Sequence, residues 1–191
     1  MGRIDIHILY RSDDHEELYF SDISSGVESM NLQAYQPSNF WSIDGGIEIR
    51  LDEYKVIFRS FDFYVLLGAT TFLMETLYFL QESRSTWLDV DNEFPDSATC
   101  VTFRKDKIVF SRVDDTHVSL SFLRRNDHQL PRRSDRYFSD VLLEISQWVL
   151  AVKRSLGEYF SVLSKVAESS VEDRTLPLLR KYHELWTAVK D

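Results

Sequence analysis

The sequence predicts an α+β fold, with one or more antiparallel sheets, a buried central helix and two C-terminal helices. Three observations predict it. Stretches that alternate apolar and polar residues come in clusters joined by links too short for a parallel crossover. One long apolar stretch with three-and-four spacing stands between two such clusters, and the last third carries helical stripes alone. Strands therefore do not alternate singly with helices, as a doubly wound parallel sheet requires.

The elements follow in order. Ile4-Asp5-Ile6-His7-Ile8 alternates with period two, so the chain enters a sheet with one apolar face. The stretch from Arg11 to Gly26 is polar and acidic and reads as a loop with a short element around Leu18-Tyr19-Phe20; Val27 to Tyr35 reads as a second strand. After the Asp44-Gly45-Gly46 turn signal, Ile47 to Leu51 alternates again, and Tyr54 to Phe58 follows across Asp52-Glu53 as the second arm of a hairpin. A helix is predicted from Asp62, a candidate N-cap, to about Glu82, with Leu66, Thr70, Leu73, Leu77 and Leu80 on one stripe. Phe63, Phe72, Met74 and Phe79 occupy its other faces, so burial on most sides is expected. Glu75 and three threonines in the same stretch argue for a core helix over a membrane span.

Four β-rich segments come next, at Trp87 to Val90, Thr99 to Phe103, Lys107 to Phe110 and His117 to Phe122, and their short links suit an antiparallel meander. Phe138, Val141, Leu142, Ile145, Trp148, Val149, Val152 and Leu156 then step by three or four, with Ser134-Asp135 as cap candidates and continuation past Gly157 through Phe160, Leu163 and Val166. A final helix carries Leu178, Leu179, Tyr182, Leu185, Trp186 and Val189, with Pro177 in its first turn. At 191 residues and 22.5 kDa, a single domain over 1–191 is expected. The element order also allows two strand-then-helix lobes, 1–83 and 84–191.

Charge is unevenly spread within the net −9. Residues 1–98 hold 18 acids and 6 bases, 6 − 18 = −12, whereas residues 99–191 hold 16 bases and 13 acids, 16 − 13 = +3. A concentrated negative potential repels nucleic acid and speeds encounters with a basic protein. The lone Cys100 forms no internal bridge and the first residues lack a signal-peptide pattern, so a cytoplasmic protein without membrane contact is expected.

Motifs of chemistry are scarce. No P-loop, G-x-G-x-x-G or G-x-S-x-G is present, and six glycines offer little for a phosphate cradle. Asp89-Val90-Asp91-Asn92-Glu93 opens like a calcium loop, but Phe94 stands at the turn glycine and Cys100 at the bidentate glutamate. The five histidines are scattered, without zinc spacing, so neither a metal nor a cofactor is expected. Cys100 lies in an apolar β-rich segment that suits a packed thiol. An acid/base pair drawn from Asp89, Asp91, Asp114 and His117 is the enzyme alternative, and a homo-oligomeric scaffold built through the C-terminal helices is another.

Two clusters remain as candidate binding residues. Asp13, Asp14, Glu16 and Glu17, with Asp44 and Glu48, are candidate contacts for a basic protein partner, and Trp41 beside Asp44 adds the aromatic that interface hot spots favour. Arg124, Arg125, Arg132, Arg133 and Arg136 form the strongest basic cluster, suited to anions or to pairing with the acidic first half.

A small, acidic α+β chain without catalytic motifs resembles in type the immunity proteins with which bacteria neutralise their own polymorphic toxins; size, acidity and lack of motif over the whole length carry the resemblance. It implies a non-enzymatic, tight one-to-one complex in which acidic loops cover a toxin's basic cleft.

Overall fold

The computed structural model describes residues 3–11, 20–23, 45–51, 55–60, 66–82, 89–90, 97–101, 107–123 and 140–168. Alternating Ile4, Ile6 and Ile8 make β1 (Ile4–Arg11), which lies between β2 (Phe20–Asp22) and β3 (Gly45–Leu51). With β4 (Lys55–Ser60) these form a sheet of order β2-β1-β3-β4, antiparallel throughout. The expected β3–β4 hairpin pairing is present, with a bulge between Ile49 and Arg50. Helix α1 (Leu66–Glu82) follows, on the stripe read from the sequence.

The second half repeats the order of strands then helix. Strands β5 (Asp89–Val90), β6 (Ser97–Val101), β7 (Lys107–Arg112), β8 (His117–Leu123) and β9 (Val141–Glu144) form a sheet in sequence order, the expected antiparallel meander. Helix α2 (Ile145–Glu168) then runs on through Gly157. Antiparallel sheets with separate helices make the chain α+β.

One boundary corrects the sequence reading. Val141 and Leu142 fit the helical stripe in the sequence, but Val141–Glu144 pairs with β8, placing Leu143 opposite Val118 and Leu142 opposite Ser119. Short apolar runs fit either period, and here the open edge of β8 decides, since pairing satisfies backbone groups on both strands. Leu143 points inward at 1% exposure while Leu142 is 48% exposed, the alternation of a strand. Asp140, at φ 53°, turns the chain into this strand; its N–H donates to Ser121 Oγ at 2.8 Å. Helix α2 begins with no intervening loop, and the Ile145 N–H, which has no partner inside the helix, donates to the Thr116 carbonyl at 2.9 Å.

One hydrophobic cluster joins the two halves. Ile4, Ile6, Ile8, Ile47 and Ile49 of the first sheet, Leu73, Leu77 and Phe79 of α1, Phe110, Val118 and Leu120 of the second sheet, and Trp148, Val152 and Leu156 of α2 all belong to it. Trp148 lies at its centre: its ring packs on Phe110 at 5.1 Å, Phe110 meets Phe79 at 6.1 Å, and the indole N–H donates to Thr76 Oγ1 at 3.0 Å. Thr76 in turn donates to the Leu73 carbonyl at 2.7 Å. Burying each such side chain stabilises by about 1.5–3 kcal/mol, more than an exposed ion pair contributes, so packing sets how α1, α2 and the second sheet sit together. Arg112 of β7 donates to the Leu80 carbonyl at 2.5 Å, satisfying one of the free carbonyls at the end of α1.

Among the described residues no helix is long and apolar enough to cross a membrane. Four expectations lie outside the described residues: the strand over Val27 to Tyr35, the caps at Asp62 and Ser134-Asp135, and the last helix over 178–189.

Candidate functional site

The polar face of the first sheet gathers five ionisable groups among the described residues. It follows from register. Residues directly opposite in an antiparallel pair share a face, and β1 sets Asp5 against Arg50, His7 against Glu48 and Leu9 against Gly46, while β2 sets Asp22 against Leu9. The same alternation that sends Ile4, Ile6 and Ile8 into the core thus places Asp5, His7, Asp22, Glu48 and Arg50 together on the other side.

The charges interlock. The Arg50 guanidinium donates to Glu48 Oε1, and Glu48 is only 1% exposed. Asp5, 8% exposed, accepts from Arg154 of α2 and also pairs with Arg3 at 3.3 Å. His7 Nδ1 meets Asp22 Oδ2, with both side chains part-exposed. Glu158 follows Arg154 by four residues, one turn along the same side of α2.

Two groups in this network titrate away from their ordinary values. The hydrogen bond to Asp22 raises the His7 imidazole above 6.5; partial burial and the Arg50 charge oppose it, while Glu48 adds to it. Burial raises the Glu158 carboxyl above 4.5, and the negative charge of Asp22 raises it further, against the pull of Arg154 and His7. The carboxylate at Nδ1 accepts, so that nitrogen carries hydrogen and Nε2 is the atom left to exchange a proton.

Glu48, read from the sequence as a contact for a basic partner, is corrected here. It is buried and ion-paired with Arg50, because β3 is an inner strand with neighbours on both sides and cover on both faces. Asp13, Asp14, Glu16, Glu17, Trp41 and Asp44 lie outside the described residues, as do Arg124, Arg125, Arg132, Arg133 and Arg136.

Of the four residues named for an acid/base pair, two are described in contact. Asp114 and His117 do approach, at 3.1 Å, but in the exposed turn between β7 and β8. Asp114 Oδ1 accepts from the Thr116 N–H at 2.7 Å, the Thr116 hydroxyl at 2.8 Å and the His117 N–H at 2.7 Å, which fastens the turn. The hydroxyl bond of Thr116, first among these donors, lowers the Asp114 carboxyl to about 2. This is turn geometry, open to water. Asp91 lies outside the described residues, and Asp89 is placed in β5.

Sequence reading missed His7, Asp22, Arg50, Arg154 and Glu158 as a group. The alternation of β1 already put Asp5 and His7 on one face; the partners come from β2, β3 and α2, and Arg154 is 149 positions from Asp5. Among the described residues no group of three histidine, cysteine, aspartate or glutamate side chains is arranged to hold a metal ion. No protein-family model matches the chain, and a comparison with curated proteins and with solved structures finds no significant match to either.

Proposed function

We propose that the chain is a non-enzymatic binding protein whose acid-rich first half engages a basic protein partner, neutralising it as an immunity protein neutralises a toxin. The observation that carries this reading is the charge division, −12 over residues 1–98 against +3 over the rest. Among the described acids, Asp5, Asp22 and Glu48 are engaged in the sheet-face network, while Asp13, Asp14, Glu16 and Glu17 form one acidic run in the sequence and Asp44 follows Trp41 closely. Those five acids and Trp41 are the proposed contact set, without Glu48. A cytoplasmic site fits the lone cysteine. The reading also includes one domain with a second C-terminal helix over 178–189, whose apolar stripe needs a surface to cover it.

The test compares the wild-type chain with a variant carrying D13N, D14N, E16Q, E17Q and D44N as baits in the native lysate. The expected result is a basic protein retained by the wild type and lost from the variant, with an association rate that falls at least about tenfold between low and high salt. Equal capture by both baits, or a rate indifferent to salt, overturns the reading.

A further inference from the structure

The outer face of the second sheet is a small grid fixed by register. Pairing sets Val109 of β7 beside Ser121 of β8, and Ser111 beside Ser119, with Leu142 of β9 on the far side of that same serine. Val113, whose N–H donates to the His117 carbonyl at 2.9 Å, extends the β7 column, and Glu144 lies opposite His117. Asp140 completes the β9 column, its carboxylate accepting from Ser121 Oγ at 3.3 Å. The other face of the sheet carries Phe110, Val118, Leu120 and Leu143 into the core. On the outer face the serines of β8 are short, so they floor a shallow trough between the β7 valines and the β9 column, where Leu142 stands between two acids.

This face exposes apolar surface that an antiparallel sheet facing water ordinarily replaces with polar side chains. Val113 is 55% exposed and Leu142 48%, two of the three large apolar side chains left exposed among the described residues. The rim is acidic, from Asp114 and Asp115 in the turn to Asp140 and Glu144 on β9. A self-complementary contact with a second copy sets these acids against themselves, which disfavours it. A basic amphipathic segment fits both features. The chain carries one: residues 177–190 hold the stripe from Leu178 to Val189, with Arg180, Lys181 and Lys190 against a single Glu184. We propose that this C-terminal segment, which lies outside the described residues, docks as a helix across the outer face of the second sheet, its stripe over Val113 and Leu142 and its bases toward the acidic rim. The docking rests on the second C-terminal helix proposed above and adds the place where that helix lies.

The length of chain beyond α2 permits it. Helix α2 starts beside this face, where the Ile145 N–H reaches Thr116, and its 24 residues run about 36 Å. Residues 169–176 can reach back about 26–29 Å, and a helix from 178 onward adds about 1.5 Å per residue, so Leu185 and Trp186 come within range of Leu142. The rival spot is Leu150 of α2, 63% exposed. Lys153 and Arg154 follow it by three and four residues and share its side of the helix, so Arg180 and Lys181 meet like charge there.

Amide hydrogen exchange over the full chain tests the docking in the wild type, V113K, L142K and L150K, all substitutions at exposed sites. Amides within 178–189 should be protected in the wild type, and V113K and L142K should each cut that protection at least about tenfold while leaving the Trp148 and Val152 amides as they were. L150K should leave it alone. E144K should cut it too, and R180E with K181E in the same chain should restore part of it. Exchange over 178–189 at the rate of unfolded chain overturns both the docking and the helix. Protection that survives V113K and L142K, or falls equally in L150K, overturns the docking alone. A wild-type mass of twice 22.5 kDa by light scattering that halves in L142K overturns it as well, since a second copy then takes the face.

Discussion

Replacing Thr76 by valine isolates one buried bond between the two halves of the chain. Thr76 is fully buried and uses its hydroxyl twice, accepting from the Trp148 indole and donating to the Leu73 carbonyl. Valine keeps the shape and removes the acceptor, which strands the indole N–H in a dry core. An unsatisfied buried donor costs about 1–3 kcal/mol. For a chain of this size that corresponds to a fall of roughly 2–12 °C in Tm, a substantial part of a total stability of about 5–15 kcal/mol. Trp148→Phe removes the donor instead and leaves the Thr76 hydroxyl with Leu73, so its cost of about 1–2 kcal/mol comes from lost packing on Phe110. The double variant should cost less than the sum of the two by about 1 kcal/mol, since neither partner is then left unpaired. Urea denaturation with the slope held common measures all three. If T76V matches the wild type within about 0.5 kcal/mol, or the two costs simply add, the indole bond does not join α1 to α2.

Three further outcomes are expected. Arg112→Met keeps the apolar stem but leaves the Leu80 carbonyl without its guanidinium, and a loss of about 1–2 kcal/mol should appear in thermal unfolding. Glu48→Gln breaks a pair with one buried partner and should destabilise by about 1–3 kcal/mol, with Arg50 partly hydrated, while leaving the association rate with a basic partner unchanged; a slower association would return Glu48 to the contact surface. The Asp114 carboxyl, lowered to about 2, contributes to the fold above its ordinary value of 3.8 and loses that contribution as pH falls through about 2. Asp114→Asn should therefore flatten the acid limb of the stability profile, read by circular dichroism, without changing the alkaline limb.

Local signals served the strands and helices well because each rests on near neighbours. The isoleucines of β1 and β3, the meander from β5 to β8, and the stripe of α1 need only the period of the pattern and the length of the links. The start of α2 failed for a tertiary reason: Val141 to Glu144 fit a helix stripe equally well until β8 offered an edge. The charged face failed more completely. Composition located the acids, and alternation placed Asp5 and His7 side by side, but pairing depends on which cations the fold delivers. Arg50 arrives through β3 register and Arg154 through helix docking, and neither is a local property. An acid count taken along the chain treats Glu48 and Asp14 alike, although the structure buries the first beside an arginine.

The contact between Arg154 and Asp5 also dictates a schedule. Its ends are 149 residues apart, so this one pair must wait until α2 exists and has docked, while Arg3 and Asp22 reach Asp5 and His7 from nearby in the chain. Until α1, the second sheet and α2 are made, the isoleucine side of β1 lacks most of its cover, the condition in which strands seek the wrong neighbour. Alternating Asp5 and His7 with the isoleucines keeps that waiting strand hydrated on one side, a local safeguard against premature association that precedes any role these residues have in the finished molecule.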